Sequence, residues 1–311
     1  MATSGVVTFN ITRDQIITDA LRLCQAHGAG QTMSAETVSD ATRRLNVMIK
    51  AWQGQGLHLW RKTEATIFLT ADQQSYALSS TGDRATNNYL ETRLNGSHIA
   101  TSTTIEVDST TGMTAADYIG IELTDGTMQW TTISTIVDSN TLTIPGPGLT
   151  GAASDDGVVY TFTTKMNRPL RILDARRVVE GNETPISMVS RKEYFDLPEK
   201  DSTGSAVLAF YDPQLTTGKF YIWPTSDNPV DLIKITYERP IEDFVTTANN
   251  PDFPIEWAEA LTYGLAARLY PEYGNDATRF QQLKAEANEY LMNAISFDSE
   301  QESIFLQPVM R

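Results

Sequence analysis

Apolar residues return every three or four positions at both ends of this chain, and every second position through its middle. The first helical stretch opens at Thr12, with Gln15 three residues on, the signature of a capping box. Ile16, Ile17, Ala20, Leu21 and Cys24 form its apolar face, and the His27–Gly30 segment stops it. Ser34 caps a second helix whose stripe is Val38, Ala41, Leu45, Met48, Ile49 and Trp52, ended by Gly54 and Gly56. A short apolar link, 57–60, follows. Near the other end, residues 249–274 read as a helix capped by Asp252, opened by Pro254 and closed by Pro271 and Gly274. Trp257, Leu261, Leu265 and Leu269 lie on one side, while Ala258, Ala260, Gly264, Ala266 and Ala267 keep the rest small. A last helix carries Phe280, Leu283, Ala287, Leu291 and Ile295 as its apolar stripe.

Between these ends the period is two. Strands are predicted at 66–70, 75–78, 171–175, 207–211, 219–223 and 232–237, with a short helix or turn at 194–198. Residues 81–165 are rich in Thr, Ser, Gly and Asp. Short β-branched runs at 104–107, 118–123, 130–137 and 141–144 are joined by turns at Asp125-Gly126 and Ser139-Asn140. Their spacing suggests a small barrel or sandwich inserted into the sheet. The expected class is α+β: terminal helices packed as a helical bundle, an antiparallel β domain, and an inserted β module. The expected boundaries are 1–62 for the first helix pair, 63–80 with 166–240 for the β domain and 81–165 for the module. Residues 241–297 form the second helix pair, packed on 1–62, and 298–311 a tail.

Charge sharpens this layout. The chain of 311 residues has a formal net charge of -15 and is 41% hydrophobic, enough for a substantial core. The acidity sits in two places: residues 81–165 hold 10 acids against 3 bases, and residues 238–311 hold 13 against 5. This balance argues against ordinary nonspecific DNA binding and against an anionic membrane surface. No apolar run approaches the ~20 residues of a membrane span, and no secretory signal precedes the first helix, so a soluble protein made in a cytoplasm is expected. The single cysteine, Cys24, excludes an internal disulfide and reads as a buried thiol on the first helix.

Catalytic chemistry finds little support. His27, His58 and His98 have no His or Cys at metal-ligand spacing, and no phosphate-binding loop or nucleophile elbow occurs. No cofactor and no enzyme activity are expected. Asp155-Asp156 and Glu242-Asp243 would serve glycoside hydrolysis only with a partner carboxyl about 5 to 10 Å away across a cleft. Asp108 and Asp117 lack the calcium-loop pattern and read as turn residues. Arg168, Arg171, Arg176 and Arg177 form a basic segment with two readings: the solvent face of a strand, or an interface to an acidic partner, neighbouring subunits included. Phe210, Tyr211, Phe220, Tyr221, Trp223 and Tyr237 read first as core, and otherwise as a platform for a sugar.

Taken in order, five segments resemble the head-to-tail adaptors of short-tailed bacteriophages, also called packaged-DNA stabilisation or head-completion proteins. They are 45–60 (LNVMIKAWQGQGLHLW), 168–177 (RPLRILDARR), 190–198 (SRKEYFDLP), 219–224 (KFYIWP) and 249–274. They cover most of the chain outside the 81–165 insert, which the resemblance does not need.

The resemblance implies a structural virion protein at the head–tail junction, made in the host bacterial cytoplasm. It implies a homo-oligomeric ring, commonly of twelve subunits, beneath the portal protein. Such a ring extends the DNA channel, retains the genome and carries nozzle or fibre proteins of the tail. Double-stranded DNA would pass without sequence-specific binding, and no membrane is involved. On this reading Gly264, Ala266 and Ala267 let helices of neighbouring protomers approach closely, and head-to-tail contacts close the ring. Glu256, Glu259, Glu272, Glu286 and Glu289 lie off the apolar stripe, either facing the channel, where acids let DNA slide, or on the solvated outer surface. In the tail, Ile304, Phe305, Leu306, Val309 and Met310 are apolar, and Phe305, Leu306 and Met310 are expected to anchor it in a groove of the portal or a neighbouring subunit. The module would face outward, toward a nozzle, fibre or adjacent adaptor. Two other readings stay open: a carbohydrate-binding or depolymerising tail component, whose cleft Trp130 or Trp223 would line, and a tail-tube or stopper protein.

Overall fold

A computed structural model of the chain describes residues 4–6, 8–26, 28, 30–54 and 59–298. The elements run α1 (Arg13–Leu23), α2 (Ala35–Gln53), β1 (Lys62–Phe68), β2 (Ser75–Leu78), β3 (Ala85–Thr86), β4 (Leu90–Arg93), β5 (Thr104–Glu106), β6 (Tyr118–Glu122), β7 (Met128–Thr132), β8 (Thr135–Ile136), β9 (Thr141–Thr143) and β10 (Val158–Phe162). They continue with β11 (Arg171–Val179), β12 (Asn182–Met188), α3 (Arg191–Phe195), β13 (Leu208–Asp212), β14 (Gly218–Trp223), β15 (Leu232–Glu238), α4 (Ala258–Tyr273) and α5 (Ala277–Phe297). The fold is mixed α+β. It divides into a helical unit, residues 1–61 with 241–311, and a β unit, residues 62–240.

In the helical unit, α1 begins with the capping box its sequence announces: Thr12 N–H donates to Gln15 Oε1 at 2.8 Å, and Gln15 N–H returns to Thr12 Oγ1. Ser34 caps α2 by accepting from Thr37 N–H at 3.1 Å. Ile16, Ile17, Leu21, Leu45, Met48 and Ile49 join Trp257, Leu261, Leu265, Leu269 and Leu283 in one core, so the two ends of the chain bury each other's apolar stripes. Cys24 is buried there, its Sγ 3.3 Å from the Ala266 carbonyl oxygen, and burial pushes the thiol up to about 11.

The start of α4 corrects the sequence expectation. Asp252 does not cap the helix; its carboxylate accepts from Glu242 N–H, and a single 3-10 turn, Ile255–Trp257, leads into α4 without a side-chain cap. Pro271 lies inside the last turn rather than ending the helix, which runs on to Tyr273. A proline so near the C-terminus removes one hydrogen bond without breaking a long ladder.

In the β unit the strand order is β2-β14-β13-β12-β11-β15-β1-β3. β1 pairs antiparallel with β15 from Lys62↔Glu238 to Phe68↔Leu232. The two edges approach each other, Asp83 N–H donating to Ala77 O at 2.7 Å, so the sheet is nearly closed and barrel-like. Alternation sends Ile67, Phe220, Ile222, Ile233, Ile235 and Tyr237 into its core. β12, with Pro185 and a mostly exposed polar face, has no alternating signal and escapes the sequence reading.

Residues 90–162 supply two further sheets, β4-β10-β6-β7 and β5-β9-β8. The run predicted as one strand at 130–137 bends instead at Ile133 and Ser134, ending β7 in one sheet and starting β8 in the other. Ile133 is buried at that corner in a module core with Ile105, Val107, Ile119, Ile121, Leu142 and Val159. A separate cluster joins module to large sheet: Val158, Tyr160 and Phe162 bury Phe68, Val178 and Leu232. Phe68 and Phe162 stack with ring centroids 5.4 Å apart.

Candidate functional site

The helical unit carries a groove of about 580 Å³ between α4 and α5. Its apolar lining comes from Trp52, Ala267, Phe280 and Leu291, and its cations are Arg268 and Lys284. Both cations are exposed and have no ion-pair partner among the described residues. The apolar row continues along α5 through Met292 and Ile295, which are 57% and 38% exposed. The α5 stripe read from sequence is therefore buried only in part: Leu283 and Ala287 face the core, while Ile295 faces outward. Beside the groove, Arg268 also lines a hollow with Arg43, Arg44 and Val47.

The small residues do most of their work inside the chain. Ala266 is fully buried in the helical core. A Cβ on Gly264 would stand 3.0 Å from Trp52 and 3.0 Å from the Met48 sulfur, so the close approach this glycine permits is between α4 and α2 of one chain. Ala267 is half-buried, and both it and the buried Gly264 lie in the wall of the groove.

The five acids separate into two groups. Glu272 is ion-paired with Arg44, and Glu286 lies 3.4 Å from Arg279. Glu256, Glu259 and Glu289 are exposed, with no ion pair among the described residues. Helical geometry places Glu259 and Glu286 away from the groove, whereas Glu272, one turn on from Arg268, lies on its side. Glu286 follows Lys284 by a turn of about 200°, and Glu259 precedes Arg268 by about two and a half turns. The α4–α5 pair thus has a basic, apolar side and an acidic side, the latter containing the contact of Tyr263 with Tyr290 at 4.7 Å.

The arginine segment does not form one patch. Arg176 is surrounded by its own unit's carboxylates: Glu64 at 2.5 Å, Glu183 at 3.0 Å and Asp174 at 3.4 Å. The Glu64 hydrogen bond chiefly raises its pKa. Lys234 completes the network at 2.8 Å from Glu183, and that bond is the main cause of the lowered Glu183 pKa. Arg177 points the other way on β11, to Ser205 and to Asp231 at 3.8 Å. Arg168 is half-buried and Arg171 exposed, at the start of the strand. Of the two readings of this segment, Arg176 follows neither fully: it lies on a strand, and its acidic partners are in the same sheet because β1, β11, β12 and β15 are adjacent.

The other candidates resolve by their contacts. Tyr237 and Phe220 are core residues. Phe210 and Tyr221 stack at 5.7 Å under α3, where Tyr194 and Phe195 meet them. Trp223 donates its indole N–H to Glu199 O at 2.7 Å. Asp117 is buried and accepts from Thr114 N–H and Oγ1, a turn. Asp155 accepts from Gly96 N–H and Asp243 pairs with Lys50. His98 Nε2 accepts from Glu106 N–H. Among the described residues no group of His, Cys, Asp or Glu could hold a metal ion, and no helix is long and apolar enough to cross a membrane. His27, His58 and the tail residues Ile304, Phe305, Leu306, Val309 and Met310 lie outside the described residues.

Comparison with known proteins adds one firm match. Residues 115–304, more than half of the chain, match the family model described as SU10 adaptor protein. No curated protein matches the chain. Among solved structures, VP17, a capsid protein of bacteriophage P23-77, aligns at 10% identity over 61% of this chain and 77% of its own, with a TM-score of 0.12, from which nothing about fold follows.

Proposed function

The chain belongs to the SU10 adaptor family of phage structural proteins, and from that premise we propose that it forms a ring beneath the portal, at the head–tail junction of the virion. The ring extends the DNA channel, helps to hold the packaged genome and offers tail proteins a platform. The role is structural and needs no catalysis.

The observation that carries this reading is the two-sided helical unit. A groove that is apolar and basic on one side of α4–α5, with unpaired acids on the other, suits a head-to-tail contact between identical chains. Such contacts are heterologous, and they close into a ring when the rotation between neighbours permits. Glu256, Glu259 and Glu289 serve either that contact or the channel wall, where acids repel phosphate and let DNA slide. The tail at 304–310 is proposed to anchor each chain to the portal or to its neighbour.

The test is the mass and rotational symmetry of the native complex, measured by native mass spectrometry and electron microscopy of purified particles. A ring, with twelve-fold symmetry expected, between portal and tail supports the reading. A monomer, or a trimer on a spike, overturns it.

A further inference from the structure

Within residues 81–165 there are only three basic side chains, Arg84, Arg93 and Lys165. Two of them, far apart in sequence, converge. Arg84 and Lys165 line one groove of about 310 Å³ in the β unit, together with Tyr118, Trp130, Thr131, Thr132 and the 82–83 turn, whose Asp83 is the one acid in the lining. Each cation lies over a ring: Arg84 Cζ is 5.2 Å from the Trp130 centroid, and Lys165 Nζ is 5.3 Å from that of Tyr118. The rings are themselves fixed. Trp130 lies so close over Gly120 that a Cβ there would stand 2.8 Å from it, and Tyr118 stacks on Phe162 at 5.0 Å.

The cations are not equally satisfied. Lys165 gives one hydrogen bond, to the Gly82 carbonyl. The Arg84 guanidinium has no hydrogen bond or salt bridge among the described residues, although it is half-buried. Its nearest acid, Asp83, is already used: one oxygen accepts from Ala77 N–H at 2.7 Å and from Gln73 at 3.1 Å. Burial lowers the Arg84 pKa, with Asp83 opposing. The half-buried guanidinium still meets solvent, so its five donors are open to an external anion in place of water.

We infer that this groove is a binding site for the carboxylates of an acidic peptide segment on a partner protein. The guanidinium fork matches a carboxylate, Lys165 provides a second point charge beside it, and the hydroxyls of Thr131 and Thr132 have no hydrogen bond of their own among the described residues. The surrounding module, with 10 acids against 3 bases, repels a long polyanion such as nucleic acid, so only a short anionic group can enter. A sugar is disfavoured because Trp130 is already enclosed by Arg84, Phe68 and Phe162, leaving the rings to aim the cations rather than to stack a ligand. The inference does not depend on ring formation.

The probe is a hexaglutamate peptide titrated into the full chain at low salt, read by calorimetry and by tryptophan fluorescence. Nonspecific attraction is absent, because the protein's net charge is -15. Saturable binding is expected, weakened about tenfold or more by Arg84→Gln and by Lys165→Gln, as for charge-assisted pairs. Arg93→Gln, outside the groove, should leave it unchanged. Arg84→Lys keeps the charge and controls for folding, with thermal melting as the check. A wild-type chain that ignores hexaglutamate overturns the inference. So does an equal loss in Arg93→Gln, or tighter binding of trigalacturonate.

Discussion

Trp52 on α2 lies over the point where residue 264 of α4 would carry a side chain, 3.0 Å from the Cβ that Gly264 lacks. Gly264→Ala should therefore overpack this contact and destabilise the protein by about 1–3 kcal/mol, despite alanine's better helix propensity. Urea denaturation measures it. A variant as stable as the parent would show that Trp52 yields freely. Trp52 also lines the groove, so the same substitution should weaken assembly.

The two sides of α4–α5 make a charge test possible. Lys284→Glu should weaken self-association by about tenfold or more, since opposed like charges cost several kcal/mol. It should leave melting unchanged, because Lys284 is exposed and has no ion pair among the described residues. Adding Glu259→Lys or Glu289→Lys should recover part of the loss. Sedimentation velocity reads both. No rescue by either reversal would mean that these acids face something other than the groove.

Alkaline pH should act through Cys24. Burial raises its pKa from 9.0 to about 11, so between those values the folded chain holds a proton that the unfolded chain releases. The thiol's contribution is thus complete below about pH 9 and falls as pH rises to about 11, by an amount on the order of 2–3 kcal/mol. Cys24→Ala should flatten that part of the stability profile. Buried Tyr76 and half-buried Tyr211, both pushed up to about 12, act in the same direction at higher pH. Denaturation midpoints at about pH 8 and about pH 10 provide the comparison.

The inserted module shares a core with the large sheet, so it should not be removable without damage. Deletion of residues 82–164 would expose Phe68, Val178 and Leu232, and an aggregating product is expected. The same deletion with Phe68→Ser and Leu232→Thr should recover soluble protein, seen by size-exclusion chromatography. A soluble simple deletion would show that these three residues find other cover.

The helices were legible because their ends are marked. Thr12 and Ser34 each make the capping bond their spacing promises, while the short helix read at 194–198 starts earlier, at Arg191, behind a Ser190 cap that the sequence reading passed over. Asp252 misled because the same side chain that suits a cap also satisfies Glu242 N–H in the loop before it. β12 was missed because Pro185 and its exposed face carry no hydrophobic alternation. The acids off the stripe were readable as surface, but their partners were not: Arg44, paired with Glu272, is 228 residues away in sequence. The groove was hidden for the same reason, since one wall is Trp52 and the other α4 and α5. Distance in sequence, not weakness of signal, concealed the site.

A helical unit built from both ends of the chain has a consequence for timing. The β unit, residues 62–240, is contiguous and has all its partners once its last strand leaves the ribosome. The α1–α2 pair emerges first, yet its apolar faces are buried by α4 and α5, which emerge last. At roughly 5–20 residues per second, that wait is on the order of ten to forty seconds. During it the pair needs shielding, by chance contact with the nascent chain or by a chaperone. The groove between α4 and α5 does not exist until synthesis is nearly over, so any contact made through it must wait for a finished chain.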